Sequence, residues 1–334
     1  MVSPVVLLDL VQAVSAAPLH GLVRLPVVGE DPVQLDAMVR AWCERTGNEL
    51  VEVGAQSVSV RRGLPADPLA GLAPDQVPGT RLWMYTNFDC NLSCDYCCVS
   101  SSPRSERRAL GRDRVRQLAA EAADAGVSEL ILTGGEPFLL PDLAELVAAC
   151  TAVLPTTLLT NGMLFHGRRL QTLDAMDRER LTLQISLDSA TSEEHDRHRG
   201  AGSWQRAVNG IGTAHGLGFT VKVAATLPAE RAHTADELRS FLDSIGVEPR
   251  HQVIRALAHQ GAAGTGVELT VESLIPEVTV TAEGVYWHPV AAADVDQFIT
   301  PHIFPLADAI AEVRSRYALQ RTRADDAARW FACA

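Results

Sequence analysis

The stretch Cys90-Asn91-Leu92-Ser93-Cys94-Asp95-Tyr96-Cys97 places three of the chain's seven cysteines at spacings of four and three. It comes directly after an apolar run, residues 81–88, that predicts a β-strand. A loop this short can wrap three thiolates around one soft metal centre. Structural zinc wants a fourth ligand, yet between residues 63 and 149 there is no histidine and the only other cysteine is Cys98. Cys98, adjacent to Cys97, is expected to point away. Three protein ligands and one open position mark a catalytic metal site rather than a structural one. In an iron–sulfur cluster, three thiolates leave one iron free to bind a substrate or cofactor.

Outward from this loop, short β-rich runs alternate with helical ones. Strands are expected near 81–88, 128–133, 155–160, 181–187, 219–225 and 250–257. Helices are expected near 113–125, 141–152, 166–176, 203–217 and 235–245. Strand, helix, strand repeated means parallel pairing, but periodicity does not separate an open doubly wound sheet from a partial barrel. In both, ligands sit at the carboxyl ends of the strands, where the cysteine run also lies. Residues 267–290 predict a β-hairpin turning at Ala282-Glu283-Gly284, and Pro305 to Arg323 a final amphipathic helix. Residues 63–79, rich in Pro and Gly without a hydrophobic period, predict an interdomain linker. Before it, helix, strand, helix and one or two strands make a small α+β unit. The domains expected are therefore 1–62, the linker 63–79, a core over 80–260 and a C-terminal hairpin-and-helix extension over 261–334.

Composition narrows the function. Lys+Arg of 29 against Asp+Glu of 41 gives a net charge of −12, which argues against a phosphate-backbone partner. Lys222 is the sole lysine, so lysine-based chemistry has one possible seat. No apolar run reaches the length of a membrane span, and Val2 to Ala17 lacks the form of a signal peptide, so no membrane partner and a cytoplasmic location are expected.

Several strand ends carry candidate site residues. Thr133-Gly134-Gly135-Glu136-Pro137 closes the second strand, and by itself is an ordinary strand-to-helix turn with an acid favoured at the helix start. Thr160-Asn161-Gly162 ends the third strand, with turn chemistry of its own. Ser186-Leu187-Asp188-Ser189 ends the fourth, and taken alone caps a following helix. On the fifth, Phe219, Val221, Val223 and Ala225 form an apolar face, while Thr220, Lys222, Ala224 and Thr226 form a small and polar one that suggests a cavity lining. Arg255 on the sixth strand is a weaker candidate of the same kind. His251, His259, His288 and His302 share no metal-ligand spacing, and Cys43, Cys150 and Cys333 are isolated.

The C-x3-C-x2-C run, with Tyr96 before its last cysteine, resembles the radical S-adenosylmethionine (SAM) superfamily, with a core like that of the molybdenum-cofactor and pyrroloquinoline-quinone maturation enzymes. The resemblance implies a partial (β/α)6 TIM-like barrel, a [4Fe–4S] cluster on Cys90, Cys94 and Cys97, and SAM chelated to the open iron. It implies reductive cleavage of SAM to a 5′-deoxyadenosyl radical that takes hydrogen from a substrate. It further implies that Tyr96, Gly134, Gly135, Glu136 and Ser186 hold the cofactor, Glu136 supplying negative charge to the methionine amino group, and that Asp188 and Arg199 also contact it. Thr160, Asn161, Lys222 and Arg255 would face substrate, Lys222 because VKVAATL (221–227) is similar to a substrate-facing strand of the molybdenum-cofactor enzyme. A flavodoxin or ferredoxin would supply electrons.

Residues 3–62, through AWCERTGNELVEV (41–53) and VSVRR (58–62), resemble the TusA sulfur-carrier family. That family carries persulfide on the cysteine of a Cys-Pro pair, and the matching pair here is Ser3-Pro4. A serine hydroxyl does not hold persulfide as a thiolate does, so a docking or substrate-presenting module is expected instead of sulfur relay. The activity expected is hydrogen abstraction from a small metabolite, natural-product intermediate or peptide. The alternatives are a ribosomal-peptide maturase, a sulfur-inserting enzyme and, from another class, a non-catalytic metal-binding interaction protein.

Overall fold

The computed structural model describes residues 4–18, 20–54, 56–63, 69 and 72–330. Two compact units divide the chain, Met1–Gly71 and Leu72–Ala334. In the first, α1 (Pro4–Ala16), β1 (Leu22–Pro26), α2 (Pro32–Thr46), β2 (Glu49–Val53) and β3 (Ser57–Arg61) follow one another, and the strands form an antiparallel sheet in the order β1-β3-β2. Asp31 starts α2 by accepting the Val33 and Gln34 N–H groups, and Gly47 ends it at φ 69°, a left-handed geometry that suits glycine. Leu10, Val14, Leu35, Val39, Trp42, Cys43, Val58 and Val60 make the core of this unit. Burial pushes the Cys43 thiol up to about 11, so it is a packing residue. Ser3, and residues 64–68, 70 and 71 of the expected linker, lie outside the described residues.

The second unit carries the parallel series: β4 (Arg81–Tyr85), α3 (Arg112–Ala122), β5 (Glu129–Thr133), α4 (Leu143–Thr151), β6 (Thr156–Thr160), α5 (Gly167–Asp174), β7 (Leu181–Ser186), α6 (Ser192–Arg199), α7 (Ser203–Gly216), β8 (Thr220–Leu227), α8 (Ala235–Ser244) and β9 (Gln252–Ala256). The six strands lie side by side in chain order, every pair parallel. A doubly wound sheet reverses its order at a switch point, whereas a barrel does not. Strand order thus decides for the partial barrel. It does not close: among the described residues β9 pairs only with β8, and the outer edge of β4 takes β10 (Thr279–Val280) in parallel.

The strands alternate as their sequences predict. Leu181, Leu183 and Ile185 of β7 are buried while Thr182, Gln184 and Ser186 are partly exposed, and the same period runs through the first half of β8. Two features differ from expectation. The hairpin has strands of only two residues, β10 and β11 (Val285–Tyr286), and with β12 (Phe298–Thr300) it continues the main sheet rather than standing apart. The helix α6 was not expected, because SEEHDRHR has no apolar stripe and buries only His195. The last helix, α9 (Leu306–Trp330), packs Leu306, Ala309, Ile310 and Val313 into the interior. Among the described residues no helix is long and apolar enough to cross a membrane.

Candidate cofactor site

The loop after β4 is held from below by the end of β5. The Gly135 N–H donates to the Asn87 carbonyl at 2.9 Å and the Glu136 N–H to the Asp89 carbonyl at 3.0 Å. The Asn87 amide donates to the carbonyls of Asp89 and Glu136. The backbones approach so closely that a Cβ on Gly134 would lie 2.3 Å from Asn87 Oδ1, and one on Gly135 2.2 Å from the Asp89 carbonyl oxygen. Two glycines in succession are therefore required here by the cysteine loop itself.

Cys90, Cys94 and Cys97 line one cavity of about 220 Å³, together with Tyr96, Gly134, Gly135, Thr160, Asn161, Ser186, Arg199 and Arg255 among others. The Leu92 N–H donates to Cys90 Sγ at 3.4 Å and the Ser101 N–H to Cys97 Sγ at 3.2 Å. Burial pushes the Cys90 thiol up to about 12 and raises that of Cys94, the latter offset in part by the Arg199 guanidinium. Cys98 departs from expectation by lining the same cavity. It lies in a turn, where neighbouring side chains need not alternate as they do in a strand.

Other expected contacts are spent on the fold. Glu136 is fully buried and does not line the cavity. Its carboxylate accepts from the Phe138 N–H (3.0 Å), the Thr160 hydroxyl (2.8 Å) and the Asn161 N–H (2.8 Å), tying β5 to β6. The Glu136 carboxylate, expected to supply negative charge to the methionine amino group, is engaged by these three donors. Burial raises its pKa, the three donors working against that. Thr160 and Asn161 face the cavity, but the Asn161 side chain is engaged by Asn91 and the Met163 N–H.

Asp188 likewise stands behind the cavity wall. It accepts from Tyr96 Oη, from Arg199 Nε at 2.5 Å and from the Thr226 N–H at 3.0 Å. Arg199 Nε also reaches Tyr96 Oη at 2.7 Å. Burial alone would raise the Asp188 pKa, and the adjacent guanidinium outweighs it, so the carboxyl is held below its usual value. Arg199 is thus a cavity-facing cation whose charge is already matched. Arg255, paired with Thr226 through its backbone, lines the cavity with a guanidinium that has no hydrogen bond or ion pair to a described residue, whereas Lys222, earlier on β8 and paired in register with Gln184, does not line it. Thr226 and Ser101 also line the cavity, and neither was singled out as a site residue from the sequence. Only Thr226, on the polar face of β8, had a signal.

Among the described residues no three His, Cys, Asp or Glu side chains converge on a single ion. A cluster makes a different demand, since each thiolate binds a different iron and the sulfurs stand apart. Cys90, Cys94 and Cys97, free of disulfides, line one cavity beside Cys98, and Cys90 and Cys97 accept backbone N–H groups, the pattern that suits thiolates. This donor set fits a [4Fe–4S] cluster with one iron open.

Parallel strands in chain order and three thiols at the carboxyl end of the first define a cluster-binding partial barrel. Residues 84–245 match the family model of the radical SAM superfamily, and this part of the chain is a radical SAM domain. Proteins of that superfamily use a [4Fe–4S] cluster and SAM. The chain is 32% identical over 182 residues to an AdoMet-dependent heme synthase of Methanosarcina barkeri, covering 54% of this chain and 51% of that protein. It is 31% identical over 170 residues to the mycofactocin maturase MftC of Mycobacterium tuberculosis, covering 50% and 42%. The crystal structure of Streptococcus suis SuiB bound to precursor peptide SuiA superposes with a TM-score of 0.50 at 20% identity, over 59% of this chain and 44% of that one, a likeness of fold alone. The chain spans about half the length of the curated relatives it matches.

Proposed function

We propose that this protein is a radical SAM enzyme acting on a peptide, small metabolite or natural-product intermediate, with Cys90, Cys94 and Cys97 as the cluster ligands. The observation that carries the reading is the meeting of those three cysteines with Gly134, Gly135 and Ser186 on one cavity at the carboxyl ends of β4, β5 and β7. When bound, the cluster and SAM supply a 5′-deoxyadenosyl radical able to take a hydrogen atom from carbon.

The chain's own part is to bind, orient and exclude water. Gly134 and Gly135 leave backbone open to the methionine moiety, and Ser186 offers a hydroxyl to the cofactor from the end of β7. The Tyr96–Asp188–Arg199 group fixes the wall behind Cys94. Leu257, Ala258 and Val290 give the cavity an apolar side, and Arg255 offers a substrate a cation. Of the substrate classes, a peptide is favoured by relatives such as the MftC maturases. We read the unit Met1–Gly71 as a TusA-like docking or substrate-presenting module, supported by its α-β-α-β-β order. A flavodoxin or ferredoxin serves as reductant, and the protein works in the cytoplasm.

Anaerobic reconstitution tests the ligand assignment. The wild-type protein is expected to hold about four irons per chain, and Cys90→Ala, Cys94→Ala or Cys97→Ala at most half of that. Equal iron in wild type and all three variants would refute it.

A further inference from the structure

Ser101 lies just past the cysteine run and is 5% exposed. Its N–H donates to Cys97 Sγ at 3.2 Å, and the residue lines the cavity shared by the three cysteines. Its hydroxyl oxygen is buried and has no hydrogen-bond partner among the described residues. The serines nearby are engaged: the Ser102 N–H donates to Ser105 Oγ at 2.8 Å, and the two hydroxyls lie 3.1 Å apart. Buried hydroxyls ordinarily have partners, because a lone one loses water's hydrogen bonds and regains none. The missing partner of Ser101 must therefore be something the cavity receives.

The surroundings of the three sulfurs narrow what that is. Cys90 and Cys97 each accept one amide N–H. Cys94 has the Arg199 guanidinium nearby instead. The Ser101 hydroxyl shares a residue with the amide on Cys97 Sγ, so it is tethered within one side chain's reach of that sulfur.

We propose that the Ser101 hydroxyl donates a hydrogen bond to cluster sulfur beside Cys97, either the thiolate or the sulfide on the same iron, and thereby raises the cluster's reduction potential. This rests on the cluster assignment made above. A hydrogen bond to cluster sulfur disperses negative charge and stabilises the reduced form, which carries one electron more. Ser101 is in this sense a positioning and tuning residue, and its effect is on the redox equilibrium rather than on a bond broken or formed.

The test is a redox titration of the reconstituted holoprotein without SAM, followed by the electron paramagnetic resonance signal of the reduced cluster, for wild type, Ser101→Ala and Ser101→Thr. At the potential where wild type is half reduced, the reduced-to-oxidised ratio of Ser101→Ala is expected to fall at least about threefold, which is roughly 28 mV at 59 mV per tenfold for one electron. Ser101→Thr, which keeps the hydroxyl, should stay nearer wild type than Ser101→Ala. The dissociation constant for SAM should be the same in wild type and Ser101→Ala. An unshifted Ser101→Ala with full iron content would overturn the proposal, and so would weaker SAM binding at an unchanged potential, which would place the hydroxyl on SAM. Should Ser101→Ala not retain a cluster, the wild type decides: its electron–nuclear double resonance spectrum should contain a coupled proton that exchanges in D2O faster than the hydrogen-bonded Leu92 and Ser101 amides, and its absence overturns the proposal. A wild-type protein that assembles no cluster would instead remove the functional reading beneath it.

Discussion

At His195, burial decides the charge. The ring is 1% exposed, its Nδ1 accepts the Asp188 N–H at 3.2 Å, and its pKa falls from 6.5 to about 4. Burial is the largest cause. The carboxylates of Asp188 and Asp196 oppose it, and Arg199 and His198 act with it. As pH drops below about 6.5 the unfolded chain takes up a proton that the folded chain refuses until about 4, so the stability held above pH 6.5 is lost on acidification. Between pH 7.5 and pH 5 this one ring should cost about 2 kcal/mol, from 1.36 kcal/mol per pH unit over the interval from 6.5 to 5. Urea unfolding at the two pH values should show a smaller pH difference in His195→Gln than in wild type, with His288, whose pKa also falls to about 4 on burial, maintaining the remainder. An unaltered pH difference in the variant would refute this account. The same residues mark the limit of what single positions disclose. Cys90, Cys94 and Cys97 are legible because their spacing has one chemical use. Glu136 and Asp188 also stand at strand ends, but whether such a carboxylate faces a cavity or the next loop depends on backbone donors contributed from other strands, such as the Asn161 and Thr226 N–H groups.

Among the elements, the turn after β5 sets the cysteine loop. Its glycines look like a cofactor cradle in the sequence. In the structure they are also the only residue type that lets the end of β5 pass under Asn87 and Asp89. A Cβ at residue 135 would meet backbone rather than a movable side chain, so the loop has to shift. Gly135→Ala is expected to lower iron per chain at least severalfold after reconstitution, while far-ultraviolet circular dichroism stays that of the wild type. Full iron occupancy in Gly135→Ala would show that the loop tolerates the displacement. The strands were legible through their apolar runs, and the polar face of β8 was legible through its period of two. The helix α6 was not, because its contribution is a charge network: Asp196 accepts from the Gly202 and Trp204 N–H groups and Arg199 pairs with Asp188. That network has no periodic trace in the sequence.

For the whole molecule, the sequence contained six strands alternating with five helices but not their spatial order, since crossover direction is set by packing between strands far apart in the chain. The division into Met1–Gly71 and Leu72–Ala334 falls in the Pro- and Gly-rich stretch that interrupts the hydrophobic pattern. Every residue that lines the cavity belongs to the second unit. The net charge of −12 leaves the substrate open. With Cys90, Cys94 and Cys97 as the proposed cluster ligands at the carboxyl end of a partial barrel, the protein is expected to cleave SAM reductively. The direct measurement is 5′-deoxyadenosine formed from SAM by the reconstituted protein under anaerobic conditions with dithionite. The account predicts product in the wild type and at least a hundredfold less in Cys94→Ala, and a wild type carrying its cluster yet forming no more 5′-deoxyadenosine than Cys94→Ala would contradict it.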